Sequence, residues 1–229
     1  MYNVRAHFEA ELSRLQERML EMATCTDSMV GMALESLITG DIEKTQSVIH
    51  QDKSVDQLDL DIESDCLRLI ATQQPVARDL RVIGAALKVI TDIERIGDYA
   101  VDIAKVGRRL ARANVVYRPL VDLPRLASMS RTMLHQALQA FIHHDIILVE
   151  KVITSDDEVD RLYHTMRDAL TQSIIEDASR GLLALNVLFA AKYLERISDH
   201  VVNIVERVWF IEKGELLPSK QILLQDEDA

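Results

Sequence analysis

The chain has 229 residues, 48% of them hydrophobic, with only 7 Gly and 4 Pro. That length suits one large domain or two small ones, and that apolar content excludes a disordered chain. A formal charge of −11 argues against non-specific nucleic-acid binding and suits cations or basic partner surfaces.

Few helix breakers and abundant Leu, Ala, Glu and Arg predict long helices. The N-terminal residues Met1 to His7 lack the apolar core of a signal peptide. No run of 18 apolar residues is present to span a membrane. Cys25 and Cys66 form no framework and read as two free thiols in a reducing compartment.

In chain order, a first helix is predicted from His7 to Thr39, ended by Gly40. Asp41 caps a second, running to Thr72. Gln73-Gln74-Pro75 is a turn, and Pro75 is expected in the first turn of a third helix that continues to Ala113. Residues 114–124, with Pro119 and Pro124, read as a linker. Three further helices are predicted over 125–143, 145–177 and 181–213, and 214–229 reads as a flexible tail.

The two halves are copies. Shifted by 104, residues 29–58 overlie 133–162 with twelve of thirty positions identical, among them Met29/Met133, Asp41/Asp145, Asp52/Asp156 and Asp56/Asp160. Roughly two matches would arise by chance. Shifted by 101, Glu94-Arg95-Ile96-x-Asp98 overlies Glu195-Arg196-Ile197-x-Asp199. The expected fold is all-α, two similar three-helix bundles built by internal duplication from six long antiparallel helices, spanning 7–113 and 125–213.

Within each motif, Glu-x-x-x-Asp puts two carboxylates one turn apart on the same side of a helix, where bare like charges repel. On a helical wheel Glu94 falls between Val101 and Leu87, inside the apolar margin, and Glu195 falls likewise between Val202 and Leu188. In the second helix Asp52, Asp56, Asp59 and Glu63 share a face with Val48, Val55 and Cys66. In the fifth, Asp156 and Asp160 keep these places while Tyr163 and Arg167 replace the other two acids. Folding each pair as an antiparallel hairpin sets Asp56 opposite Glu94 and Asp52 opposite Asp98. In the second half it sets Asp160 opposite Glu195 and Asp156 opposite Asp199.

A single Glu-x-x-x-Asp is an ordinary solvated face. Repeated, inset in apolar stripes and facing further acids, it points to a bound cation or a basic partner. All-oxygen ligands suit Mg²⁺, Ca²⁺, Mn²⁺ or iron. Arg95 and Arg196 are expected to pair poorly with these acids, being 100° further round their helices. A carboxylate-bridged metalloenzyme is the enzymatic alternative, but no Glu-x-x-His is present. His200, beside Asp199, is retained as a candidate ligand. No phosphate loop, nucleophile elbow, cysteine-histidine metal spacing or organic-cofactor motif is found, which reads as a non-enzyme.

Gln73-Gln74-Pro75-Val76-Ala77-Arg78-Asp79-Leu80-Arg81 together with the two Glu-Arg-Ile-x-Asp motifs resembles the PhoU family of bacterial phosphate-signalling regulators over about residues 7–213. The resemblance implies a PhoU-like two-bundle fold and a cytoplasmic homodimer reaching the membrane only through partners. It also implies negative regulation of the phosphate regulon and of phosphate uptake. The protein would then be an adaptor between the ATPase subunit of the phosphate ABC transporter and a PhoR-type histidine kinase. It further implies divalent or iron ions on Glu94, Asp98, Glu195 and Asp199, with Asp102 and Asn203 one turn further on. Ser198 stands where the first motif has Gly97, which marks the second site as different from the first.

Overall fold

A computed structural model of the chain describes residues 2–217 and is all-helical over that range. The elements are α1 (Tyr2–Thr39), α2 (Ile42–Gln73), α3 (Ala77–Arg112), α4 (Leu123–His143), α5 (Ile146–Glu176), a 3₁₀ turn (Ala178–Arg180) and α6 (Gly181–Lys213). Helices α1–α3 pack as one bundle and α4–α6 as the other. Of the sequence reading's flexible tail, 218–229 lies outside the described residues.

Local chemistry sets the helix ends. Asp41 accepts from the amides of Glu43 and Lys44 at 2.9 and 3.2 Å. Its copy Asp145 accepts from Ile147 and Leu148 at 2.9 and 3.3 Å. These side-chain caps satisfy donors that the first helical turn leaves open. Left-handed residues end α2 at Gln74, α4 at His144 and α6 at Gly214.

Pro75 does not enter α3 as expected. Gln74 is left-handed, Val76 is extended, and Ala77 opens α3 at φ +50. Reversing the chain consumes all the residues between the two helices, so Pro75 is left in the turn. Pro124, assigned to the linker by sequence, instead sits in the first turn of α4 behind the Asp122 cap.

The core is a continuous apolar seam crossing both bundles. Met22, Met29, Ile62, Ile93, Ile96, Ile103, Leu194, Ile197 and Ile204 are fully or almost fully buried in it. A smaller cluster of Leu110, Leu170, Leu183, Ala184 and Val187 lies beneath the linker. Cys66 is buried, and burial pushes its thiol up to about 12. Cys25 is half-buried, its sulfur 3.1 Å from the Gln51 amide. Close approach of α1 to α3 depends on Gly107, where a Cβ would stand 2.7 Å from Leu37 Cα.

The bundles meet through α3 against α6 and α1 against α4. Arg81 near the start of α3 reaches the Ile211 carbonyl near the end of α6, and Arg109 near the end of α3 reaches Asn186 near the start of α6. Helices α3 and α6 are therefore antiparallel. The repeat shifts relate their contacts by an internal two-fold. Tyr99 stacks on Tyr193 with ring centroids 5.9 Å apart. The equivalent pair, His200 and Asp92, is hydrogen-bonded at 2.8 Å. Asp27 and Arg131 occupy equivalent positions, and they join across α1 and α4 in two bonds of 2.7 Å each.

Candidate metal centre

On the first bundle, the hairpin of α2 and α3 brings the acids together much as the facing argument expects. Charges of Asp56, Asp98 and Asp102 act on Asp52, and those of Asp98, Asp59 and Asp56 act on Glu94. Burial first, then Asp56 and Asp98, lifts the Asp52 carboxyl above its ordinary range. Burial followed by Asp98 does the same to Glu94, and burial followed by Glu63 to Asp59. Gly97 provides the floor: a Cβ there would lie 3.6 Å from Asp52 Oδ1 and 3.7 Å from Val55 Cγ1. Those are ordinary van der Waals separations, so a methyl group would fit there against the acids of α2.

Cations answer part of this charge. Arg95 bonds Asp98 at 2.8 Å and lies 3.4 Å from Glu94, while Lys105 holds Asp102 at 3.0 Å. In the second half Arg196 holds Asp199 at 3.2 Å. The expectation that Arg95 and Arg196 pair poorly is therefore corrected. The offset of about 100° separates each arginine from the glutamate before it, whereas the acid three residues on lies only about 60° away and is an ordinary helix neighbour. Asp52, Asp56 and Asp59 make no ion pair among the described residues, and Asp59 Oδ1 is buried without a hydrogen-bond partner.

The second face is built differently. Asp199 is lifted by burial, then by Glu195 and Asp156, as the Asp156–Asp199 facing requires. Lys192 donates to both Glu195 oxygens at 2.6 Å and lies 5.1 Å from the centre of the Tyr163 ring. Asp156, Asp157 and Asp160 bring carboxylate oxygens within 4.8 Å of one another, with Asp156 buried. Sequence reasoning missed Asp157, which lies off the face of Asp156 and Asp160 on a wheel. Its adjacency to Asp156 was the available signal.

Two candidate ligands are engaged elsewhere. His200 Nδ1 lies 2.8 Å from Asp92, and the Asn203 amide donates to the same oxygen at 3.0 Å. Both belong to the contact between α3 and α6. Ser198 turns from the acids toward α4 and donates to Ser130 Oγ at 3.0 Å.

As a donor set, the α2–α3 face offers carboxylate oxygens that repel one another and are partly removed from water. Such oxygens suit a hard cation, and no thiol or imidazole joins them. By donor chemistry these residues fit the ions that the family resemblance implies, while the group whose ligand oxygens come within 4.8 Å of one another among the described residues is Asp156, Asp157 and Asp160 on the other face.

The PhoU domain model matches residues 19–106 and 123–208, one stretch in each bundle. A Burkholderia protein described as a phosphate-specific transport system accessory protein PhoU homolog is 34% identical over 215 residues, covering 93% of this chain and 91% of its own. The Aquifex aeolicus protein of the same description is 34% identical over 212 residues, covering 93% and 96%. The crystal structure of PhoU from Pseudomonas aeruginosa superposes with a TM-score of 0.85 at 34% identity, over 91% of this chain and all of that one. The phosphate transport system regulatory protein PhoU from Streptococcus pneumoniae gives 0.84 at 27% identity, over 92% and 99%. With two matched domains, relatives aligned end to end and the same fold, this chain belongs to the PhoU family.

Proposed function

We propose that this protein is a non-catalytic accessory of phosphate transport that restrains phosphate uptake and the phosphate-starvation response. It would work in the cytoplasm as a homodimer, linking the transporter's ATPase subunit to a PhoR-type histidine kinase. The observation that carries the phosphate assignment is the end-to-end match to relatives named as accessory proteins of that transport system. No described helix is long and apolar enough to cross a membrane, which accords with attachment through partners.

Divalent or iron ions belong to the same proposal. Asp52, Asp56, Glu94, Asp98 and Asp102 would hold them on one face, and Asp156, Asp160, Glu195 and Asp199 on the other. Asn203, whose amide nitrogen donates to Asp92, would join through its side-chain oxygen. A bound cation would neutralise the acid faces and fix α2 against α3 and α5 against α6. The metalloenzyme alternative gains no support from the relatives, which are named as accessory proteins of phosphate transport.

Deleting the gene in its native host tests the regulatory reading. A phosphate-regulon reporter should become active in high phosphate and return to low activity on complementation. Unchanged repression in the deletion strain would refute it.

A further inference from the structure

The duplication makes each half a template for the other. At one end of the second bundle, where α4 turns into α5, side chains from three elements meet. Arg78 donates to Glu212 at 2.6 Å, and His144 Nδ1 lies 3.3 Å from the same carboxylate. Carried through the repeat shifts, His144 corresponds to Gly40, Glu212 to Ala111 and Arg78 to Ser179. These side chains are thus missing from the first bundle, where a cavity of about 390 Å³ lies between Gly40, Ala111 and the linker. A Cβ on Gly40 would meet nothing within 4 Å. Across the linker lies a second cavity of about 410 Å³. Asn114, Val115 and Val116 line both, so the two lobes straddle one short stretch of chain.

Their chemistry is divided. Leu37, Leu110 and Ala111 give the first lobe an apolar wall, beside a Tyr117 hydroxyl that is buried without a hydrogen-bond partner. The second lobe holds Arg118 and Arg180. Arg118 is exposed and has no ion-pair partner among the described residues. Arg180 is steadied by Asp177 at 3.2 Å, and Asp177 also accepts from Ser179. Two guanidinium groups against one carboxylate leave a single positive charge in this lobe, on a chain whose net charge is −11. Lobes of this size fall within the range of small-molecule sites, which join apolar walls to a few placed polar groups.

We propose that this cleft binds a small amphipathic monoanion. Its apolar body would lie in the lobe between Gly40 and Ala111, and its carboxylate or phosphodiester head between Arg118 and Arg180. The site is separate from the acid faces, and the reading does not depend on any role in phosphate transport.

Calorimetric titration of the full-length protein tests it. Decanoate and cyclic AMP serve as probes with acyl and flat bodies, acetate as a head alone and decanol as a body alone. At least one whole probe should bind one-to-one, at least tenfold more tightly than acetate or decanol, and its identity tells which body the lobe accepts. Arg118→Ala/Arg180→Ala should weaken it at least tenfold by removing charge-assisted bonds. Ala111→Leu should do so by filling the lobe. Melting of each unliganded variant checks folding, and the arginine variant alone decides the matter if Ala111→Leu does not fold. The proposal is overturned if neither whole probe binds, if acetate or decanol binds as well, or if a folded variant of either kind retains full affinity.

Discussion

Asp27 and Arg131 give the sharpest test of how the two bundles are held together. The Asp27 side chain is 12% exposed and that of Arg131 is 40% exposed. Breaking a fully buried pair costs about 3–5 kcal/mol, while an exposed pair is worth at most about 1 kcal/mol. With one partner shielded and the other half in water, Asp27→Ala should cost about 2–3 kcal/mol. In a chain of this size that lowers the melting temperature by about 4–12 °C. Because the two positions are equivalent under the repeat, exchanging the residues should restore part of the loss. Only part returns in Asp27→Arg/Arg131→Asp, because the exchange is not fully symmetric. The Arg131 guanidinium lies over Gly31, where a Cβ would stand 3.5 Å from its Cζ. The counterpart of Gly31 is His135, whose imidazole would crowd an arginine at position 27. Adding His135→Ala should therefore recover most of the stability. Urea midpoints and thermal melting of the four proteins decide the matter. A loss below about 0.5 kcal/mol in Asp27→Ala would mean that water covers the pair after all. A triple variant no more stable than Asp27→Ala would refute exchange through the internal two-fold.

Gly107→Ala should cost about 1–3 kcal/mol, because the new Cβ meets Leu37 backbone atoms that cannot step aside. Gly84→Ala, with open space around it in the same helix, should instead stabilise by up to about 1 kcal/mol; equal melting shifts would refute the close-approach argument. Burial, then the Arg78 charge, holds the His144 imidazole below its ordinary value. The unfolded chain therefore takes up that proton first, and this contribution to stability is lost as pH falls from about 6.5 through the folded value. His144→Asn, which tolerates the left-handed backbone, should flatten that part of the pH profile of the urea midpoint; an unchanged slope would count against it. Elemental analysis of untagged protein should find bound metal that Glu94→Gln/Glu195→Gln loses; metal retained in that variant would remove these acids from the ligand set.

Much of the architecture was legible because the chain states it twice. The 104- and 101-residue shifts revealed the duplication, and helical spacing with antiparallel pairing set Asp52 against Asp98 and Asp156 against Asp199. What stayed hidden were effects that neither periodicity nor facing encodes. His200 and Asn203 turn to Asp92 because α6 also packs on α3 of the other bundle, a contact that no single hairpin reveals. Pro75 lies outside α3 because the turn needs three non-helical residues, and turn geometry is decided by a few dihedral angles.

Duplication also explains why equivalent places differ in chemistry. If both copies were identical, position 27 would face its own kind, and two acids or two guanidinium groups would repel at hydrogen-bond distance. Placing Asp in one half and Arg in the other turns that repulsion into two 2.7 Å bonds. The same freedom separates the acid faces. Tyr163 and Arg167 stand where the first half has Asp59 and Glu63, and Lys192 stands where it has Thr91. The second face has thus exchanged two acids and gained two cationic side chains, and Lys192 alone occupies both Glu195 oxygens. On the first face Asp52, Asp56 and Asp59 have no ion-pair partner among the described residues, and burial with the neighbouring acids lifts Asp52 and Asp59. The unbalanced charge is therefore concentrated on α2 and α3.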